Sequence, residues 1–123
     1  MNTNNEYDIR LDVKYPPLER IDVPAIKAAC NEPWFNQTLT QVNDSVVRLG
    51  IVEGEFHWHK HENDDEFFFV LEGNLTIELQ DRTIDLQPGQ GVTIPKGTMH
   101  FPKAPTKTVM LMVETNSIQP TGD

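Results

Sequence analysis

Three histidines stand at alternate positions in the stretch HWHKHENDDEFFFVLEG: His57, His59 and His61. The fourth histidine of the chain is His100. Imidazoles and carboxylates together make ligand sets for divalent transition metals, and this stretch supplies both. If residues 56–61 form a regular strand, the three imidazoles share one face, because strand side chains alternate. Next-but-one positions lie roughly 7 Å apart along a strand, close enough for two imidazoles to converge on one ion. Glu66 follows His61 after the loop ENDD, so a returning strand can bring its carboxylate beside the pair. Glu66 also opens the apolar run EFFFVL, where a buried carboxylate needs a partner.

His100 closes PGQGVTIPKGTMH, in which Pro88-Gly89 and Pro95-Lys96-Gly97 are successive turn signals. Two obligatory reversals with a short strand between them deliver His100 to a fixed place. Glu62, Asp64 and Asp65 read as a solvated turn, since they lack the glycine and ligand spacing of a calcium loop. Gln41, Arg48, Trp58 and Phe101 are weaker candidates for a pocket.

The elements that must position these residues are short. The spacing predicts strands over residues 35–42, 46–52, 56–61, 66–71, 75–79, 83–86, 92–94, 99–101 and 108–114, separated by Gly, Pro, Asn and Asp. That pattern predicts an all-β sandwich or barrel. One helical signal lies in residues 22–33: Asp22 caps it, Pro24 suits its first turn and Pro33 ends it. Residues 1–17 read as an N-terminal arm, 18–118 as the barrel domain and 119–123 as a tail, with IQPTGD loose. On the second strand Val47, Leu49 and Ile51 share a face, which turns Arg48 outward. If Glu66 points inward, so do Phe68 and Val70, and Phe67, Phe69 and Leu71 point out. Outward aromatics need cover, from the N-terminal segment or from a second subunit, so a homodimer is expected. Met110 and Met112 read as packing.

The chain is 123 residues long with net charge −9. This is one domain's length, enough to bury a core without disulfides. An acidic chain is repelled from nucleic acid and from anionic membranes, so neither is expected as a partner. Cys30 is the lone cysteine and reads as a small buried residue. The absence of an intramolecular disulfide leans towards a reducing, cytoplasmic location. The polar start MNTNNEYDIRLD predicts neither a leader nor a membrane span.

These residues resemble the two motifs of the cupin superfamily. The first has the form HxH, three or four residues, Glu, six residues, Gly, and is matched by His59, His61, Glu66 and Gly73. Upstream, Gly54 sits one position closer to His59 than in the family pattern. The second has the form PG, five residues, PxG, two residues, His, three residues, Asn. It is matched by Pro88, Gly89, Pro95, Gly97 and His100, with Ala104 where the family has Asn. The two motifs span about two fifths of the chain. The resemblance implies a small single-domain cupin: a double-stranded β-helix, or jelly-roll barrel, with one short N-terminal helix. It implies one divalent transition metal (Mn, Fe, Ni, Cu or Zn) held by His59, His61, Glu66 and His100. Glu62 arrives one residue early for an alternative set built on His57 and His59, so His57 reads as a residue at the pocket mouth or one supporting a ligand.

Four protein ligands in an octahedral field leave two positions open, and an open position marks a catalytic rather than a structural site. The expected function is a metal-dependent enzyme acting on a small oxygenated metabolite, of dioxygenase, isomerase or lyase type. The alternative is a noncatalytic module that binds a sugar or organic acid. No catalytic residue beyond the ligand set is singled out.

Overall fold

A computed structural model describes residues 7–123, so the first six residues of the expected arm lie outside the described residues. In chain order the elements are β1 (Asp8–Arg10), α1 (Val23–Ala29), β2 (Trp34–Val42), β3 (Ser45–Glu55), β4 (Glu66–Glu72), β5 (Leu75–Glu78), β6 (Thr83–Leu86), β7 (Gly91–Ile94) and β8 (Phe101–Thr115). The all-β expectation holds. Asp22 caps α1 as expected, its Oδ1 accepting from Ala25 N at 3.0 Å. The helix ends at Ala29, short of Pro33, as Cys30 turns extended. No described helix is long and apolar enough to cross a membrane.

The hydrogen-bonded order is β1-β2-β3-β8-β4-β7, with β5 pairing both β6 and β8. β1 runs parallel to β2, and the other pairs are antiparallel. β8 organises the sheet. The separate strands expected at 99–101 and 108–114 are one strand of 15 residues. Its first residues, Phe101 to Lys103, pair with β5. Its second half lies between β3 and β4. Pro102 and Pro105 concealed it, because proline disfavours a central strand.

β3 has both faces buried. On one side Val52, Phe68, Val70, Ile77, Met110 and Met112 form the inner core. On the other, Phe35, Leu39, Leu49, Ile51 and Val109 form an outer cluster that Tyr15, Val23 and Ile26 cover. Cys30 is a free, buried thiol in this outer cluster, as its small size suggests. Along β4, Glu66, Phe68 and Val70 are buried while Phe67, Phe69 and Leu71 are half-buried, which matches the expected alternation.

Three further expectations fail. Arg48 does not face out: its side chain is 3% exposed, and its Nε lies 3.4 Å from Glu114 Oε2. Alternation marks two faces but does not say which is wet, and the N-terminal segment made the Leu49 face a second interior. Residues 56–61 are not a strand. Within them only His59 is bridged, to His100, through N–H···O bonds of 3.0 and 2.8 Å in the two directions. The IQPTGD segment is not loose: Ile118 is buried, and Asp123 N donates to Lys60 O at 2.9 Å.

Two glycines with positive φ make a test of this packing. A Cβ at Gly73 (φ +85°) would lie 2.6 Å from Lys107 O and from Thr108 Oγ1, whereas a Cβ at Gly89 (φ +84°) meets nothing within 4 Å. Thr108 Oγ1 accepts from Asn74 N and donates to Asn74 O, so a side chain at Gly73 also displaces that clasp. In urea denaturation, Gly89→Ala should cost about 1 kcal/mol, the left-handed conformation alone. Gly73→Ala should cost roughly 2–4 kcal/mol, adding the clash and lost hydrogen bonds. Equal costs would contradict the contact between β4's turn and β8.

Candidate metal centre

Three separate parts of the chain supply the site. Glu66 is the first residue of β4 and points inward. The His59–His100 backbone bridge brings two imidazoles together, with ring centroids 4.1 Å apart. The Pro95-Lys96-Gly97 turn is tied to His61 by Gly97 N donating to His61 O at 2.8 Å. His59, His61, Glu66 and His100 are all buried, and each offers a ligand atom within 4.8 Å of the others. The four residues that the resemblance implies as ligands therefore meet at one point and could hold a metal ion.

The hydrogen bonds around them decide which atoms face that point. Each imidazole has its Nδ1 held from behind: His59 by His57 O at 3.0 Å, His100 by Thr98 O at 2.9 Å and His61 by Asp123 Oδ1 at 2.8 Å. An oxygen acceptor places the proton on Nδ1 and leaves the Nε2 lone pair free. His61 Nε2, His100 Nε2 and Glu66 Oε1 are buried and have no hydrogen-bond partner. His61 Nε2 stands 3.1 Å from Glu66 Oε1 and His100 Nε2 3.5 Å from it, close but not in hydrogen-bonding alignment. Unsatisfied buried polar atoms cost free energy. A cluster of them aimed at one place fits a cation.

The electrostatics follow from burial and crowding. Burial, then the neighbouring His100, lowers the His59 pKa to about 4, so this imidazole is neutral at physiological pH. Burial alone would raise the Glu66 carboxyl, but the close imidazoles of His100 and His61 hold it well below the usual carboxylate range. Burial lowers and the carboxylates of Glu66 and Asp123 raise the His61 pKa, and the carboxylates prevail. Glu114 is pushed up by burial and by the charge of Glu66.

A cavity of about 20 Å³ adjoins His59 and Glu66, room for about one water molecule. Its walls are apolar, with Trp34, Val52, Phe56, Phe68, Met110 and Met112 among them. Asn36 is a polar residue on the wall, and its buried Oδ1 has no partner. Met110 and Met112 thus pack in the core and line the cavity as well. The weaker candidates do not line it. Gln41 bonds Asn43 O in solvent, and Trp58 packs against Phe101 with centroids 5.6 Å apart. His57 lies outside the cluster, with Nδ1 3.4 Å from Tyr7 Oη and Nε2 donating to Thr121 O at 2.9 Å. Asp65 Oδ1 accepts from Lys96 N, and Glu62 is exposed beside Lys60, in keeping with a turn.

Sequence reasoning missed Asn36, Glu114 and Asp123. Asn36 had a signal: it alternates with Trp34 and Thr38 on one strand face. Asp123 had none, because it reaches the site from a distant segment. The depressed His59 pKa has a measurable consequence. A histidine kept neutral by burial contributes stability that is present above its unfolded pKa and lost as pH falls through its folded one. Metal-free protein should therefore lose up to roughly 3 kcal/mol from this group between about pH 6.5 and pH 4. The raised His61 pKa acts in the opposite sense, so the comparison is with His59→Gln. Urea melts of the variant should show a shallower acid decline, and identical slopes would contradict a buried neutral His59.

The comparisons with known proteins agree with this geometry. Residues 45–115 match the family model described as Cupin domain. The chain is 42% identical to the uncharacterized protein YdbB of Bacillus subtilis over 91 residues, 73% of this chain and 80% of that one. A cupin-2 domain protein from Shewanella frigidimarina superposes with TM-score 0.73 at 37% identity, covering 77% of this chain and 93% of its own. KdgF from Halomonas sp. shares the fold, with TM-score 0.64 at 20% identity over 72% of this chain and 84% of that one. With the family model spanning more than half the chain and both motifs folded onto one cluster, the protein belongs to the cupin family.

Proposed function

We propose that this cupin is a metal-dependent enzyme acting on a small oxygenated metabolite, with His59, His61, Glu66 and His100 holding one divalent transition metal. The observation that carries the reading is the buried, partnerless set of His61 Nε2, His100 Nε2 and Glu66 Oε1, in a cluster whose three imidazoles are pinned from behind. Three neutral imidazoles and one carboxylate leave a divalent site with net charge +1, which attracts an oxyanion or a polarised carbonyl. An ion so held would supply Lewis acidity or an acidified water, or redox chemistry where the metal allows it.

The chain's own residues do the remainder. The apolar walls exclude water and strengthen electrostatic interactions inside the cavity. Asn36 offers a hydrogen bond that orients a polar group of the ligand. Apart from His59 and Glu66, no titratable side chain is among the described lining residues. The chemistry is thereby concentrated at the ion, as in a dioxygenase, isomerase or lyase of the metal-assisted kind. A cavity with room for about one water molecule admits the oxygenated end of a compact substrate, whose remainder would lie beyond it. The homodimer expected from the outward Phe67 and Phe69 belongs to the same reading, since their rings stack 6.2 Å apart and remain partly in solvent.

Elemental analysis of protein purified without an affinity tag should find about one equivalent of a divalent transition metal, and His59→Ala or His100→Ala should retain less than about a tenth of it. Turnover of a metabolite library by the metal-loaded protein should disappear in His59→Ala. Tight ligand binding without product would instead favour a noncatalytic binding module. Wild type that takes up no transition metal would overturn the reading. Asn36→Leu, which keeps the ligand set, should leave metal content unchanged and weaken binding of an oxygenated ligand roughly 10-fold. Unchanged ligand affinity would exclude Asn36 from recognition.

A further inference from the structure

The segment after β8 is built onto the site. Ile118 is buried, and Asn116 N donates to Asp44 O at 2.9 Å. The chain then turns, with Gly122 N donating to Gln119 O at 2.9 Å and Asp123 N to Lys60 O at 2.9 Å. Thr121 O accepts from His57 Nε2, and Pro120 lines the cavity. A Cβ on Gly122, at φ +117°, would come 3.0 Å from His59 Cβ. A glycine therefore lets the segment lie against the histidines. These contacts hold Asp123 in one place beside His61.

The three pinned imidazoles differ in what pins them. His59 and His100 use backbone carbonyls two residues away, His57 O and Thr98 O. Such contacts come with the local backbone, whatever the side chain there. His61 depends on a side chain 62 residues distant. A carboxylate behind an imidazole fixes its tautomer and ring orientation and raises its basicity as a ligand. We propose that Asp123, held by the folded segment 116–123, is a positioning residue that keeps the His61 proton on Nδ1 and aims Nε2 into the metal site. It touches neither metal nor ligand and acts through His61. The proposal deepens the metal reading and rests on it for the sense of what Nε2 is aimed at.

The test uses the full chain and two readouts. In metal-free protein with nitrogen-15-labelled histidine, at about pH 9, above the ordinary imidazole range, two-bond proton–nitrogen correlation reports each tautomer. Wild type should show His59, His61 and His100 with the proton on Nδ1. Asp123→Ala should convert His61 to a mixture, leaving His59 and His100 unchanged. Calorimetric titration with Co(II) should then show affinity weakened about 10–100-fold. Asp123→Asn, whose amide oxygen still accepts a hydrogen bond, should recover most of both. A wild-type His61 tautomer and Co(II) affinity in Asp123→Ala would overturn the proposal. So would a change spread equally over His59 and His100, which is loosening of the whole site. Wild type that binds no Co(II), together with a His61-specific tautomer change in Asp123→Ala, would sink the metal reading while upholding the positioning role.

Discussion

The structure depends on burying four polar side chains together while leaving His61 Nε2, His100 Nε2 and Glu66 Oε1 unpaired. Nitrogen and oxygen atoms in such a place are costly unless something meets them. The fold limits that cost by satisfying the far side of each imidazole and leaving the near side open. Hydrogen bonds at each Nδ1 convert flexible rings into fixed donors of a lone pair. A divalent cation would recover what the open side lacks, and would do so at one point because the ring orientations are already set.

The rest of the architecture serves that arrangement. β8 joins the sheet between β3 and β4, fixing the position of Glu66 relative to the inner core. The His59–His100 bridge joins the segment before β4 to the residue that precedes β8. The N-terminal segment and α1 cover the outer cluster, so β3 is buried on both faces and the inner face is free to be polar at its end. Arg48, Glu114 and Glu66 lie buried there. Burial and the charge of Glu66 push the Glu114 carboxyl up, while the imidazoles of His100 and His61 keep Glu66 the carboxylate beside the core.

Much of this was legible in the residues. His59, His61, Glu66 and His100 could be named because turn chemistry at Pro88-Gly89 and Pro95-Lys96-Gly97 leaves little freedom, and because the two motifs occur in order. Asp22 and Pro24 announced the helix. The inward set Glu66, Phe68 and Val70 followed from a period of two. What escaped was whatever depends on partners distant in sequence. Arg48 looked external because the neighbouring Val47 and Leu49 are apolar, but alternation cannot tell an exposed face from a second interior. β8 was split in two by Pro102, within its pairing to β5, and by Pro105, between that pairing and the one to β4. The polar, glycine- and proline-containing end of the chain has the composition of a loose tail. It is ordered by contacts to His57, Lys60 and His61 that no local pattern encodes.

An ion held by this cluster would be ringed by three imidazole nitrogens and a carboxylate. X-ray absorption fine structure of the Zn(II)-loaded protein should show about three imidazole nitrogens at 2.0–2.1 Å with carboxylate oxygen beside them, and His100→Ala should remove one imidazole from that shell. A shell made of oxygen alone, unchanged in His100→Ala, would contradict it.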